Sequence, residues 1–233
     1  MIKNILRIAV LLTIVGCLAG CVPQKPMYEQ ANADQIAAEG SEIMLAWLAE
    51  YLPDAELTEC EAYMVNPLRG RGEYLTDYAE GYIRSCETTT GFMVNTVSGA
   101  VYFETDSETQ AKLNEAAENY IREITGLSAD RTGDHYFLCN VMVPVRDGDS
   151  VNEIPGDEYF GAYWYGVCVL PAGTDTENLD AFVRDPQSRP MLEIIGYFTL
   201  PDGADPAEYD TEVIQKQLEE EHGLHCLRLD ILG

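Results

Sequence analysis

Phe92-Met93-Val94-Asn95-Thr96-Val97-Ser98-Gly99-Ala100-Val101-Tyr102-Phe103 decides the fold class. Phe92 to Thr96 and Val101 to Phe103 are apolar runs of strand type, and Val97-Ser98-Gly99-Ala100 between them reads as a hairpin turned at Ser98-Gly99. A helix follows at once. From Ser107 to Gly126, Leu113, Ala117, Tyr120, Ile121 and Ile124 recur at helical spacing, Ser107 and Gln110 match the capping box, and Gly126 suits the left-handed C-terminal position. Antiparallel strands running into an amphipathic helix predict an α+β protein.

Upstream, Ile36, Ile43, Trp47 and Tyr51, with Met44 and Leu48 beside them, predict a helix from Ala33 to Leu52 that Pro53 stops. Leu57 to Val65 reads as a strand with Cys60, Ala62 and Met64 on one face, and Tyr74 to Thr88 as a second extended segment. Residues 66–73, with Pro67, Gly70 and Gly72, form the loop between them. Downstream, Tyr136 to Val145 alternates as a strand and Tyr159 to Leu170 is apolar or aromatic on both faces, as in a central strand. Asp175 to Val183 reads as a short helix and Met191 to Leu200 as a strand. Asp205-Pro206-Ala207-Glu208 predicts the start of a last helix, ended by Gly223 before a strand from Leu224 to Leu232 with Leu227, Leu229 and Ile231 on one side. The expected architecture is mostly antiparallel sheet covered by long helices, with halves at 31–126 and 127–233; the pattern leaves open whether they share a sheet.

Ahead of the globular part, Met1 to Arg7 is a short basic start, Ile8 to Val15 is uninterrupted apolar sequence, and Leu18-Ala19-Gly20-Cys21 has the form of a lipobox. In this segment the chain resembles bacterial lipoproteins. The resemblance implies that residues 1–20 are a signal peptide, cut between Gly20 and Cys21, with a diacylglyceryl group on Cys21 and an extracytoplasmic, membrane-anchored product. Ile14-Val15-Gly16-Cys17 also fits the loose pattern, but it would leave only Ile8 to Thr13 as apolar core, short of the roughly seven residues such a core needs. The apolar run also falls short of the ~20 residues of a transmembrane helix. Residues 21–30 form the tether, and its nine residues after Cys21 reach about 30 Å at most. The helix, the strands and the Val97-Ser98-Gly99-Ala100-Val101-Tyr102-Phe103 hairpin loosely resemble PepSY-like modules of exported bacterial proteins over residues 31–104. That resemblance carries no catalytic motif.

Of the 233 residues 40 are acidic and 14 basic, a net charge of −26; loss of Lys3 and Arg7 with the signal peptide would leave −28. No Lys/Arg cluster occurs, which excludes nucleic acid as a partner and any charge-driven grip on anionic lipid. The acyl chains would hold the protein at the membrane alone. Such a surface attracts cations, basic peptides or divalent metal ions, but acidic residues spread along the chain rather than concentrated favour plain solubility.

Beyond Cys17 and Cys21 five cysteines remain. Facing residues of a hairpin have a constant sum of numbers, and registers compatible with the loops place Cys60 opposite Cys86 and Cys139 opposite Cys168, where disulfides could form in an exported chain. Small buried thiols are the alternative. His135, His222 and His225 are the only histidines. Sequence ties none of them to a thiol, and no Gly-x-Ser-x-Gly, phosphate-loop, His-Glu-x-x-His or dinucleotide motif is present.

His222, His225, Cys226 and Asp230 carry ligand atoms, but they straddle a helix end and point to opposite faces of a strand. Asp147-Gly148-Asp149-Ser150-Val151-Asn152-Glu153 departs from a calcium loop at Val151 and Asn152. Tyr159, Phe160, Tyr163, Trp164 and Tyr165 could line a peptide or glycan pocket or simply pack across strands. No metal or cofactor is implied. The expectation is a lipid-anchored, non-enzymatic binding or interaction module at the cell envelope, with a protein, peptide or cation as partner. A motif-less hydrolase or thiol enzyme and a small solute-binding lipoprotein are the alternatives.

Overall fold

The computed structural model describes residues 30–65, 74–141, 169–205 and 209–232. The α+β class is as the sequence predicts: helices pack on two sheets that are antiparallel save for one strand pair. Helix α1 (Gln30–Tyr51) opens the described chain, followed by β1 (Glu56–Val65), β2 (Tyr74–Ser85), β3 (Thr88–Asn95) and β4 (Val101–Glu104). With β7 (Val169–Pro171) these form the first sheet, in the order β1-β2-β3-β4-β7.

Helix α1 buries Ala33, Gly40, Met44 and Leu48, with Ile36, Ile43 and Trp47 of the expected stripe half-buried against the same core and its last member, Tyr51, 57% exposed. Gly40 sets the approach. A Cβ there would lie 2.3 Å from the Cβ of Ala79, so the helix backbone presses against β2 where a larger residue could not. Met44, Leu48, Ala79, Ile83, Phe92, Val94 and Val101 fill the core beneath.

The hairpin forms as its sequence demands. Gly99 takes φ +76°, Asn95 donates its backbone N–H to Ala100 at 2.9 Å, and the Asn95 side chain accepts from Val97 and Ser98. Between β2 and β3 the turn is less legible, because Cys86 itself takes the positive φ (56°) with no glycine or asparagine to announce it. The segment read as continuous through Thr88 therefore ends at Ser85.

Helix α2 (Ser107–Thr125) is capped by Asp106, one residue before the expected Ser107: its carboxylate accepts from Thr109 at 2.7 Å. Gly126 closes the helix in the left-handed conformation. Next come β5 (Ser128–Asp130), β6 (Phe137–Val141), β7, α3 (Leu179–Arg184), a 3-10 turn (Arg189–Met191), β8 (Leu192–Thr199), α4 (Thr211–Glu220) and β9 (His225–Leu232). The last helix is capped by Asp210, which accepts from Glu212 and Val213, rather than by Asp205.

In the second sheet β8 is central. Antiparallel β6 and β5 follow one another along one of its edges, and β9 lies parallel on the other after the α4 crossover. Leu113, Ala117 and Ile121 of α2, Leu192, Ile194 and Phe198 of β8, and Ile214 and Leu218 of α4 form its core, each full burial of a large side chain contributing about 1.5–3 kcal/mol. The division at 126/127 is thus crossed twice, since α2 enters the second core while β7 completes the first sheet. A register shift between Ile194 and Ile195 changes the alternation of β9, so Leu229 is buried while Leu227 is 46% exposed.

Both edges of the second sheet are sealed by side chains at the same level. Cys139 and Cys226 flank Ile194 in register. Gln110 donates to the Cys139 carbonyl at 2.8 Å while Asn114 accepts from its N–H at 2.8 Å. On the other edge Gln215 donates to the Cys226 carbonyl at 2.9 Å, and Glu219 accepts from its N–H at 3.3 Å. In each helix the glutamine also bonds its partner four residues on. Each pair stands where a further strand would pair.

Candidate binding surface

Alternation along β8 sends Leu192, Ile194 and Phe198 to the core and Tyr197 to the opposite face. Tyr197 lies between two carboxylates, in register with Asp130 on β5 and Asp230 on β9. Two cationic or basic groups close on its ring. His135 stacks on it at 4.6 Å with its Nδ1 2.8 Å from the Asp130 carboxylate, and the Arg228 guanidinium lies 4.8 Å from the ring centroid while donating to Asp230. Tyr136 meets the ring edge-on at 5.7 Å and remains 44% exposed.

The result is a ladder, Asp130, His135, Tyr197, Arg228, Asp230, in which each carboxylate holds the basic group that packs on the central ring. Cation–π contacts at exposed sites contribute ~0.5–1 kcal/mol each. Hydrogen bonds from Thr132, then from His135, hold the Asp130 carboxyl below the ordinary carboxylate range. Asp230 beside it pushes the Arg228 guanidinium up, keeping it charged. Tyr136 and Arg228 are therefore presented to solvent on a fixed support.

A second polar cluster gathers on Tyr120 of α2. Its hydroxyl accepts from Arg189 at 2.7 Å and lies 3.3 Å from His222 Nδ1, while Arg184 sits 5.3 Å from its ring and pairs with Glu123 and Asp180. These contacts tie α2, α3, the 3-10 turn and the end of α4 together. An open polar groove of ≈ 540 Å³ also runs along α2, lined by Asn114, Glu118, Asn119, Arg122 and Arg131, but Glu118 and Arg131 neutralise each other across it at 2.8 Å.

Cys60 faces Gly81, five positions short of Cys86, and both thiols are free. The expected pairing fails because β2 turns back at Cys86 instead of running past it, so the register with β1 is set by residues nearer the loop. Cys139 is buried in the second core, and Cys168, its expected partner, lies outside the described residues. So do Gly20 and Cys21, the tether through residue 29, the 147–153 loop and the aromatic run 159–165.

His222, His225, Cys226 and Asp230 do not converge. His222 turns to Tyr120, His225 stands in register with Glu193, Cys226 enters the core and Asp230 holds Arg228. Among the described residues no three His, Cys, Asp or Glu side chains are grouped to hold a metal, and no helix is long and apolar enough to cross a membrane.

Of the ladder, sequence reasoning singled out His135 and Asp230, and for other reasons. Asp130, Tyr197 and Arg228 come from three separated strands, and no spacing signal links them. The exposed Tyr136 next to His135 is the one local hint. No family model matches the chain, and no curated protein or solved structure matches it either.

Chemically, a carboxylate on the Nδ1 of an imidazole is the orienting half of a catalytic triad. Among the described residues the thiols of this sheet do not supply its nucleophile. Cys139 and Cys226 belong to the core on the other face of the sheet, and burial, helped by the Glu219 charge, pushes the Cys226 thiol up to about 12.

Proposed function

We propose that this is a lipid-anchored extracytoplasmic protein that binds a protein or peptide partner at the cell envelope and catalyses no reaction. The observation that carries the binding role is the ladder beneath Tyr136 and Arg228. Tyrosine and arginine dominate binding energies, and both are held here in place before a partner arrives, which lowers the ordering cost of association. The anchor follows from Leu18-Ala19-Gly20-Cys21 and its basic and apolar flanks.

Intact-mass analysis of membrane-extracted protein tests the anchor: the expected species begins at Cys21 and carries a diacylglyceryl group, and retention of Met1 to Gly20 would refute it. A photo-crosslinking residue at position 136 tests the face in intact cells. A discrete adduct that Arg228→Ala abolishes is expected, and labelling unchanged by that substitution speaks against the site.

The Asp130–His135 hydrogen bond favours a second reading, a hydrolase with His135 as general base. It requires a nucleophile at Nε2. In our reading the imidazole serves instead as a stacking partner for Tyr197, the role its ring geometry fits. Hydrolysis of a generic ester that disappears in His135→Ala while Tyr197 stays packed would reverse the choice.

A further inference from the structure

Unpaired strand edges invite another strand, and proteins normally block them. Helix side chains seal both edges of the second sheet at Cys139 and Cys226. Among the described residues one edge of the first sheet is the three-residue β7, ending in Pro171, which has no N–H to offer. The other edge is β1, ten residues long, and it is treated differently.

Among the described residues nothing pairs with the outer side of β1 at Glu56–Glu61, and Glu56, Thr58, Glu59 and Glu61 are exposed. Between two register shifts, at Thr58 and at Tyr63, four residues pair regularly: Glu59, Cys60, Glu61 and Ala62 face Tyr82, Gly81, Glu80 and Ala79. Alternation puts Cys60 under α1, where its thiol meets the Ala37 carbonyl, and turns Glu59 and Glu61 to the face that carries the 41%-exposed Tyr82. No basic residue lies on β1. Lysine is the usual edge guard against strand addition, and glutamates deter only strands of like charge.

We propose that β1 is a docking edge for an extended cationic peptide segment, which would add as a sixth strand at Glu59–Ala62 and set Lys or Arg at alternate positions beside Glu59 and Glu61. Main-chain hydrogen bonds would supply affinity and the two carboxylates the selection. The same charges argue against a second copy of this chain, since antiparallel pairing of β1 with itself would bring glutamates together. This edge is separate from the Tyr136 face, and neither proposal needs the other.

A fluorescent ten-residue peptide of alternating lysine and valine, titrated into the full chain in detergent, is the probe. A twin carrying methyl groups on every backbone nitrogen keeps the charge and loses the donors. Expected are saturable binding of the first peptide, at least tenfold weaker binding of the twin, and slowed amide exchange confined to Glu59–Ala62. The double variant Glu59→Lys/Glu61→Lys should lose binding with its circular dichroism unchanged. Equal binding of both peptides, protection elsewhere, no binding, or dimerisation through β1 would each overturn the proposal.

Discussion

Asp130 makes the outer face of the second sheet sensitive to acid. Its carboxyl is held below the ordinary range by Thr132 and His135, so it is deprotonated more readily in the folded protein than in the unfolded chain. The stability this contributes is fully present above the unfolded value of about 3.9 and is lost as pH falls through the lower folded value. Asp130→Asn should therefore flatten the acid limb of stability against pH, read as urea midpoints below about pH 5. An unchanged limb would mean that the ladder bonds are not formed. Cys226 works in the opposite sense. With its thiol pushed up to about 12, the folded protein keeps a proton that the unfolded chain releases near 8.5, so stability is full below about 8.5 and declines as pH rises toward 12. Peptide mapping after brief alkylation at about pH 8 should find Cys86, exposed in its turn, modified well before Cys139 and Cys226. Equal rates would refute the burial.

At the scale of elements, the approach of α1 to β2 turns on one methyl group. Gly40→Ala would force its Cβ into Ala79 and should cost about 1–3 kcal/mol by chemical denaturation, an overpacking cost. Adding Ala79→Gly should return part of that loss, and a double variant no better than the single would place the strain elsewhere. Helix and hairpin positions were legible because periodicity and turn chemistry are local: Gly99 and Gly126 announce their conformations in the sequence. What was not legible came from partners far along the chain. Gln110 matches a capping-box residue, yet it bonds Cys139 on β6, while the cap passes to Asp106. The close approach of α1 likewise follows from a glycine that matters only because Ala79 lies beneath it. The ladder on Tyr197 is the same case, since its members meet only through the pairing of β5, β8 and β9.

For the molecule as a whole, the apparent halves of the sequence share both a core and a sheet. Residues 31–126 alone would leave Leu113, Ala117 and Ile121 without their core and β4 without β7. That fragment should give a poorly dispersed amide spectrum and bind a hydrophobic dye, whereas a well-dispersed spectrum would show that the first sheet suffices. Strand orientation was the other feature that pattern could not supply, because the alternation of β9 is the same whether it runs parallel or antiparallel to β8. That parallel crossover also sets a timetable. A ribosome delivers the chain from its N-terminus, and β8 emerges with one edge bare, to be covered only by residues 225–232. Until Leu229 arrives, the second core lacks one wall and cannot lock. Until β9 is made, that edge of β8 stays open to other strands, and a chain truncated before residue 225 should associate through it.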